Sequence, residues 1–269
     1  MDYPSKVRLL LVEDSKVNQQ FAQGLLEDIG FTVVIAQHGG EAIKQLLRAE
    51  EEEPPFSLVL MDCEMPVMNG YEATKNIRQG KAGDTYRQVP IIAMTASSTL
   101  GDEKTCYTAG MNDHLAKPIS TEKLQLKLNG YLSSPSSTTL ENENNPSDDA
   151  LHSPAPLIWD RENALYRLNY NDEYMVLIVN TFLESIPAQI ETLEAGMNAN
   201  DLVTVRMEFH SFKGVAGNIS AMAFMAISGD MEKWAREKRL AKIVEKWPQF
   251  MRELEQLKSV LRAYIEEVS

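Results

Sequence analysis

The sequence has few cysteines, no long hydrophobic run and no secretory signal. Cys63 and Cys106 are the only cysteines among 269 residues, too few for a disulfide framework, and neither has the spacing of a zinc ligand. Apolar runs such as residues 7–12 are far shorter than the roughly 20 residues that span a bilayer. The first residues lack the basic start and apolar stretch of an export signal. We therefore expect a cytoplasmic protein with no direct membrane insertion.

Positive charge is also scarce. The chain has 39 Asp and Glu against 26 Lys and Arg, which makes a net charge of −13. Surfaces that bind nucleic acid need clustered positive charge, and the sequence contains no helix-turn-helix pattern or basic recognition helix. It also contains no Walker-type phosphate loop, no nucleophile elbow and no ATP-binding motifs of a histidine kinase. We expect no nucleic-acid partner and no ATP-binding kinase core.

Residues 133–156 differ in composition from everything around them. This segment is rich in Ser, Asn and Pro, contains no Lys or Arg and has almost no large apolar residues. Such a segment cannot bury enough surface to offset the entropy of ordering it. The composition predicts a flexible linker at 133–156, between a domain at 1–132 and a second domain at 157–269.

Short apolar runs alternate with amphipathic stretches along the first domain. The runs are 7–12, 32–36, 58–61, 89–94 and 113–116, and the amphipathic stretches are 15–29, 40–49, 69–79, 99–109 and 120–131. Alternating strands and helices predict a parallel sheet that is covered on both faces. Five such units predict a doubly wound (βα)5 domain of the α/β class, with its site at the carboxyl ends of the strands.

The second domain has no strand pattern. Helices are predicted at 160–169, 172–198, 200–218, 220–238 and 242–267, with Asp160, Asp172 and Ser220 as N-cap residues. Apolar residues recur at helical spacing between residues 176 and 190. We expect an all-α domain, an antiparallel helical bundle with a core of its own.

Three carboxylates follow two strands of the predicted sheet. Glu13 and Asp14 come directly after the first strand, and Asp62 follows the third. In a doubly wound sheet these strand ends are neighbours, and three negative charges there repel unless a cation neutralises them. Oxygen ligands of this kind suit Mg²⁺. Any one of these acids could instead cap the following helix, as Asp14 could before Ser15, but together they favour a metal site.

Thr95 ends the fourth predicted strand, and Lys117 follows the fifth. The same edge of the sheet therefore receives a hydroxyl group and an ammonium group beside the carboxylates. These groups could place a phosphoryl group on a carboxylate, because a cation and a Lys neutralise its charge and a hydroxyl donates a hydrogen bond. Taken singly, Lys117 fits a surface salt bridge and Thr95 fits ordinary strand composition.

The first domain resembles a response-regulator receiver domain. The matching segments, in the order and spacing of that family, are residues 10–14, 62–70, 94–96 and 117–118. The resemblance implies that Asp62 is phosphorylated and that Thr95 and Lys117 bind the phosphoryl oxygens. It implies a Mg²⁺ site formed by Glu13, Asp14, Asp62 and the backbone carbonyl of Glu64. His114 stands where many receivers carry Tyr or Phe, so we expect a surface histidine there rather than an aromatic switch.

His210 differs from the other three histidines in its surroundings. Lys213, Gly214 and Gly217 follow it at i+3, i+4 and i+7, so all four residues share one face of a helix. A glycine inside a helix costs about 1 kcal/mol relative to Ala, and two on one face need a reason. Missing side chains would let a bulky partner approach the imidazole, although close helix packing beside a solvated His is the simpler alternative.

Residues 157–267 resemble histidine-containing phosphotransfer (HPt) domains, whose active helix has the pattern His-x-x-Lys-Gly. This resemblance implies that His210 accepts and donates a phosphoryl group and that Lys213 supports it electrostatically. Neutral imidazole is the competent nucleophile. The resulting P–N bond is labile, which suits a relay rather than storage.

The two resemblances together indicate phosphorelay signal transduction in a two-component system, in the domain order of the C-terminal part of hybrid sensor histidine kinases. The expected partners are an upstream sensor histidine kinase, which donates to Asp62, and a downstream response regulator, which receives from His210. Two alternatives are a phosphate sink that drains through Asp62, and a module whose phosphorylation changes protein binding. The sequence leaves open whether the chain is a separate protein or the tail of such a kinase.

Overall fold

A computed structural model of the chain describes residues 7–50, 54–95, 100–132 and 157–268. These residues form an α/β domain followed by an all-helical domain, which confirms the expected fold class. The predicted linker, residues 133–156, lies outside the described residues. Its flexibility and the predicted domain limits therefore remain predictions.

Five parallel strands alternate with helices in the α/β domain. The strands are β1 (Arg8–Val12), β2 (Thr32–Ala36), β3 (Phe56–Asp62), β4 (Ile91–Thr95) and β5 (Asp113–Ala116). The helices are α1 (Lys16–Ile29), α2 (Gly39–Ala49), α3 (Gly70–Arg78), α4 (Leu100–Ala109) and α5 (Thr121–Leu132), with a short 3-10 helix at Asp84–Tyr86. The strand order is β2-β1-β3-β4-β5, which confirms the doubly wound topology.

Three strands differ from their predicted bounds. β1 begins at Arg8, one residue later than predicted. β3 begins at Phe56 and includes Asp62, because its pairing with β1 and β4 continues to both ends of the strand. β4 begins at Ile91 rather than at residue 89. Pro90 precedes it and has no N–H group to donate to a ladder. Asp62 therefore belongs to its strand instead of following it.

The strand register brings the chemistry-bearing residues to one edge of the sheet. The pairs at this edge are Val12 with Met61, Asp62 with Met94, and Thr95 with Ala116. Glu13 and Asp14 leave β1 at the same edge, and Lys117 leaves β5 there. The carboxyl ends of β1, β3, β4 and β5 thus place the predicted site residues of the α/β domain side by side.

The second domain contains five helices in its described residues. They are α6 (Arg161–Arg167), α7 (Asp172–Asn198), α8 (Leu202–Asn218), α9 (Met222–Arg236) and α10 (Leu240–Val268). Helix α8 packs between α7 and α9, and α10 closes the bundle against α7 and α9. This arrangement confirms the helical bundle expected from the apolar spacing.

The predicted N-caps of the bundle are partly wrong. The side chain of Asp160 caps α6 by accepting a hydrogen bond from the Asn163 N–H at 3.1 Å, as expected. Asn171, and not Asp172, caps α7, and its side chain accepts from the Tyr174 N–H at 2.9 Å. Ser220 has a positive φ of 60° and ends the turn after α8, so Ala221 takes the N-cap position of α9.

Aromatic rings fill the centre of the bundle. Four buried phenylalanines from α8, α9 and α10 meet with ring centroids 5.2–5.6 Å apart: Phe209, Phe212, Phe224 and Phe250. Three of these four ring pairs meet edge-on, an arrangement that adds to the stabilisation from buried area. Helix α1 of the α/β domain packs against α7 and α8, so the two domains share a continuous apolar core.

None of the helices within the described ranges is both long enough and apolar enough to cross a membrane.

Candidate functional site

The acidic residues predicted from the sequence meet at the edge of the sheet. Glu13 and Asp62 are 2% and 1% exposed. The ammonium nitrogen of Lys117 lies 2.6 Å from Glu13 Oε2 and 2.7 Å from Asp62 Oδ2. One carboxylate oxygen from each of Glu13, Asp14 and Asp62 lies within 4.8 Å of the other two. The structure therefore brings together the three carboxylates and the lysine that the sequence predicted.

Burial and mutual repulsion disturb the ionisation of this cluster. Burial raises the pKa of Glu13 to about 7; Lys117 opposes the shift, whereas Asp62 and Asp14 add to it. Burial and the charge of Asp62 also raise the pKa of Asp14. Burial alone would lower the pKa of Lys117, but Asp62 and Glu13 raise it above its usual value. One ammonium group does not balance three carboxylates, so the cluster favours an additional cation.

Backbone and side-chain amides hold the carboxylates in place. The Glu64 N–H donates to Asp62 Oδ1 at 3.2 Å, and the Asn18 side chain donates to Glu13 Oε1 at 3.0 Å. Ser15 occupies the N-cap position of α1, so Asp14 is not the cap that its position in the sequence also suggested. Thr95 is buried at the end of β4, where its carbonyl oxygen accepts from the Lys117 N–H at 2.7 Å.

His210 lies on α8 and is only 6% exposed. Its Nδ1 atom is 3.1 Å from Oε1 of Glu232, a fully buried carboxylate on α9. The other Glu232 oxygen, Oε2, accepts from Lys213 Nζ at 3.1 Å, and Arg236 reaches Oε1 at 2.9 Å. Lys213 therefore faces a carboxylate as well as the histidine that the sequence placed beside it.

The pairing with Glu232 sets the protonation of both groups. Burial alone would lower the pKa of His210, but the hydrogen bond to Glu232 and the charges of Asp62 and Glu64 outweigh it and raise that pKa. Burial would raise the pKa of Glu232, yet His210 and Lys213 lower it to about 2. Glu232 is therefore ionised at neutral pH, and Nδ1 of His210 must carry the donated proton.

His210 and Lys117, the lysine that pairs with Glu13 and Asp62, line one small cavity. Its lining comes from both domains and consists of Lys117, Pro118, His210, Lys213, Gly214 and Met225. The negative charge of Asp62 acts directly on the ionisation of His210, as does the positive charge of Lys117. The two site halves that the sequence predicted separately thus lie side by side in the folded chain.

The glycines of α8 allow this close approach. A Cβ atom on Gly214 would lie 3.1 Å from Asn18 Nδ2, and one on Gly217 would lie 3.3 Å from Pro118 Cβ. Asn18 also accepts a hydrogen bond from Asn218 at 2.9 Å. The bulky partner that the two glycines led us to expect is, in this structure, the α/β domain of the same chain.

Two contacts of the site were not predicted from the sequence. One is Glu232; its only signal in the sequence is a charged residue beside the apolar stripe of α9. The other is the ion pair between Arg206 on α8 and Glu64, which links the helical bundle to the loop after β3. Glu64 Oε2 also lies 3.6 Å from His210 Nδ1. Nothing in the spacing of residues 64 and 206 could have indicated that contact.

His114 is more covered than the expected surface histidine. Its side chain is 20% exposed, and Nε2 lies 3.0 Å from Glu103 Oε1 on α4. The Tyr107 ring of the same helix meets the imidazole edge-on at 6.3 Å between centroids. The lower exposure of His114 results from the packing of α4 against β5, the edge strand that carries this histidine.

Family models match both parts of the chain. The model of the response regulator receiver domain matches residues 9–129. The model of the Hpt domain matches residues 177–266. The two matches occur in the order that the sequence motifs indicated.

Two curated relatives align with this chain over stretches that include both domains. The sensor protein GacS of Pseudomonas syringae is 30% identical over 211 residues, which is 77% of this chain and 22% of GacS. The virulence sensor protein BvgS of Bordetella bronchiseptica is 29% identical over 240 residues, 87% of this chain and 19% of BvgS. The chain thus spans about a fifth of the length of these relatives.

A solved structure resembles the α/β domain. It is the receiver domain of the Pseudomonas aeruginosa sensor histidine kinase PA1611, crystallised with a magnesium ion coordinated in its active-site cleft. Its sequence is 40% identical, and the match covers 48% of this chain and 99% of that chain with a TM-score of 0.43.

Proposed function

Because the chain is a two-component signalling protein, in which a response regulator receiver domain is followed by an Hpt domain, we propose that it relays phosphoryl groups between Asp62 and His210. The observation that supports this most directly is the shared cavity, where His210 of the Hpt domain meets Lys117 of the receiver domain. Domains typical of hybrid two-component relays favour a relay over a phosphate drain or a pure binding module.

The receiver domain accepts the phosphoryl group on Asp62 in this proposal. The clustered carboxylates of Glu13, Asp14 and Asp62 fit a hard divalent cation, and the Glu64 carbonyl would add a fourth ligand. Bound Mg²⁺ would neutralise charge on the phosphoryl oxygens. Lys117, already beside Asp62, would pair with one of those oxygens, and Thr95 at the end of β4 would donate a hydrogen bond.

Transfer to His210 needs a free ring nitrogen. Because Nδ1 donates to Glu232, the lone pair available for attack is that of Nε2. The new P–N bond forms as the P–O bond to Asp62 breaks, and the electron pair of that bond returns to the Asp62 carboxylate. The product is a phosphorylated imidazole cation, whose Nδ1–H remains paired with the Glu232 carboxylate. No proton needs to move in this step.

The Hpt domain would stabilise that product through fixed charges. Lys213 lines the cavity with His210 and would bind the phosphoryl oxygens. Glu232 holds the imidazole orientation and supplies the counter-charge for its cationic form. Both roles depend on groups that are in place before transfer, so little reorganisation is needed.

The partners follow from the same chemistry. A phosphohistidine on an upstream sensor histidine kinase would charge Asp62, and the receiver domain of a downstream response regulator would take the phosphoryl group from His210. Both partners approach sites that lie at the contact between the two domains of this chain.

A labelling time course tests the proposal. The purified chain is charged with radiolabelled acetyl phosphate in the presence of Mg²⁺, and the label is separated by its stability. The acyl phosphate of Asp62 is labile in alkali, whereas phosphohistidine survives alkali and is lost in acid. We expect alkali-labile label first and alkali-stable label on His210 afterwards. Label that stays on Asp62 and is released only as inorganic phosphate would overturn the relay and leave a phosphate drain.

Glu232→Gln is expected to slow transfer to His210 by roughly 10- to 100-fold, because the imidazole cation loses its buried counter-charge. The hydrogen bond to Glu232 raises the pKa of His210, so its loss lowers that pKa. More His210 is then neutral below pH 7, and the pH profile of transfer shifts to lower pH although its maximum falls. Transfer rates and an NMR titration of His210 measure both effects.

Glu237→Gln serves as the matched control. Glu237 lies at the end of the same helix, where it pairs with Arg239 instead of His210. An unchanged pH profile in Glu232→Gln, or an equal shift in Glu237→Gln, would contradict the role assigned to Glu232.

A further inference from the structure

Helix α1 of the receiver domain has a glycine on the face that contacts the Hpt domain. Gly24 is buried in the middle of the helix. Its φ is not in the left-handed region, so the backbone does not require glycine at this position. Glycine is disfavoured relative to Ala inside a helix. The reason for Gly24 must therefore be the space that a side chain would occupy.

That space is filled by Tyr174 from the first turn of α7. A Cβ atom at position 24 would lie 2.6 Å from Cζ and 2.9 Å from Oη of the tyrosine, closer than real contacts of this kind. The phenol group also donates a hydrogen bond to the backbone carbonyl of Gln20 at 2.6 Å. The ring cannot swing away from an added side chain without losing this bond.

The contact lies apart from the transfer chemistry. Asn18, which touches the glycine face of α8, is six residues before Gly24, and six residues correspond to about 9 Å along a helix. Asn169 contacts Asp28 on the far side, at 3.2 Å. Within the contact made by Tyr174, the carbonyl of Gln20 is available in any helix, so only the absent side chain at position 24 depends on the sequence of the receiver.

We propose that the notch at Gly24, filled by Tyr174, determines which receiver domains dock on this Hpt domain. The Hpt surface admits a receiver whose first helix has glycine at this position and excludes a receiver with a side chain there. The inference rests on the proposed function, since docking brings the phosphorylated aspartate of that receiver to His210.

Gly24→Ala tests the notch in the full chain. Transfer from Asp62 to His210 is expected to slow about tenfold. Uptake of label by Asp62 from acetyl phosphate should not change, because the added methyl group disturbs the contact with Tyr174 and Ala is the better helix former within α1 itself. A glycine needed only for the fold would instead lower stability and label uptake together.

Gly130→Ala is the matched control. Gly130 lies on α5, and an added Cβ would meet no atom within 4 Å. It makes the same chemical change in another helix of the same domain, and transfer in this variant should match that of the wild-type chain.

A double-mutant cycle identifies Tyr174 as the group that fills the notch. Tyr174→Ala alone should slow transfer modestly, because it loses the bond to Gln20. Gly24→Ala should then cost nothing further in the Tyr174→Ala background, so the double variant transfers as fast as Tyr174→Ala. Effects that simply multiply would overturn the notch, as would a Gly24→Ala chain that transfers at the wild-type rate.

The experiments distinguish a failure of the notch proposal from a failure of the proposed relay. A wild-type chain that never labels His210 defeats the proposed function. A wild-type chain that relays normally beside an equally fast Gly24→Ala chain defeats only the notch.

Discussion

Asp62→Asn is expected to abolish labelling of both Asp62 and His210 when a sensor histidine kinase donates the phosphoryl group. The Asn side chain cannot form an acyl phosphate, although its amide oxygen can still accept the hydrogen bond from the Glu64 N–H. We expect the label on His210 to fall by at least about 1000-fold, which corresponds to about 4 kcal/mol in the barrier. The measurement is alkali-stable label in a time course with a prelabelled kinase and Mg²⁺.

His210→Gln is the companion variant for this experiment. Asp62 in this variant should take up label at the wild-type rate and retain it longer, because the Hpt domain no longer has a histidine that accepts the phosphoryl group. Label reaching His210 at a normal rate in Asp62→Asn would mean that the kinase reaches the Hpt domain directly, and the Asp-to-His order would be wrong.

Lys117→Met is expected to destabilise the receiver domain and to impair phosphorylation of Asp62. Lys117 is the partner of two almost fully buried carboxylates, and breaking a buried pair by removing one ion costs about 3–5 kcal/mol. Protonation of Glu13, whose pKa is already raised to about 7, limits the loss near neutral pH. Thermal unfolding and label uptake at Asp62 measure the two effects.

The pH dependence of this variant has a defined sign. An acid with a raised pKa in the folded state binds more protons than in the unfolded state, so stability falls as pH rises between the two pKa values. Removing Lys117 removes a group that lowers the pKa of Glu13. The stability gap between Lys117→Met and the wild-type chain should therefore widen from pH 5 to pH 8, and millimolar Mg²⁺ should narrow it.

Lys127→Met provides the matched control for charge removal. Lys127 pairs with Asp113 at 2.6 Å, but the two side chains are 26% and 21% exposed. Solvent reaches this pair and screens the charge that remains when one ion is removed, so its loss should cost much less than the loss of Lys117. Equal destabilisation by Lys117→Met and Lys127→Met, or a gap that narrows with rising pH, would contradict the structural role given to Lys117.

The receiver half of the site could be predicted from the sequence because its geometry is local to strand ends. A parallel sheet brings the carboxyl ends of its strands to one edge, so residues that end strands must become neighbours. Glu13, Asp62 and Lys117 could be grouped on that basis alone. A second local rule identified His210 and the glycines on its face of the helix. Helical periodicity decides which residues share a face, and it can be read from the sequence.

Side-chain partners between distant segments could not be predicted in this way. Glu232 contacts His210 from the next helix, and Arg206 reaches Glu64 across 142 residues of sequence. Even the caps show this limit, since Asn171 and Asp172 are both good N-cap residues and only the observed start of α7 distinguishes them.

The sequence by itself determined the fold class, the order of the two domains and the residues able to carry phosphoryl chemistry. These depend on short-range periodicity and on motifs at strand and helix positions. Only the tertiary structure decided that Lys117 and His210 line one cavity, that Glu232 pairs with the imidazole and that Tyr174 fills the notch at Gly24. Those contacts depend on how elements distant in the sequence pack together, and packing is set by the combined shape of their side chains.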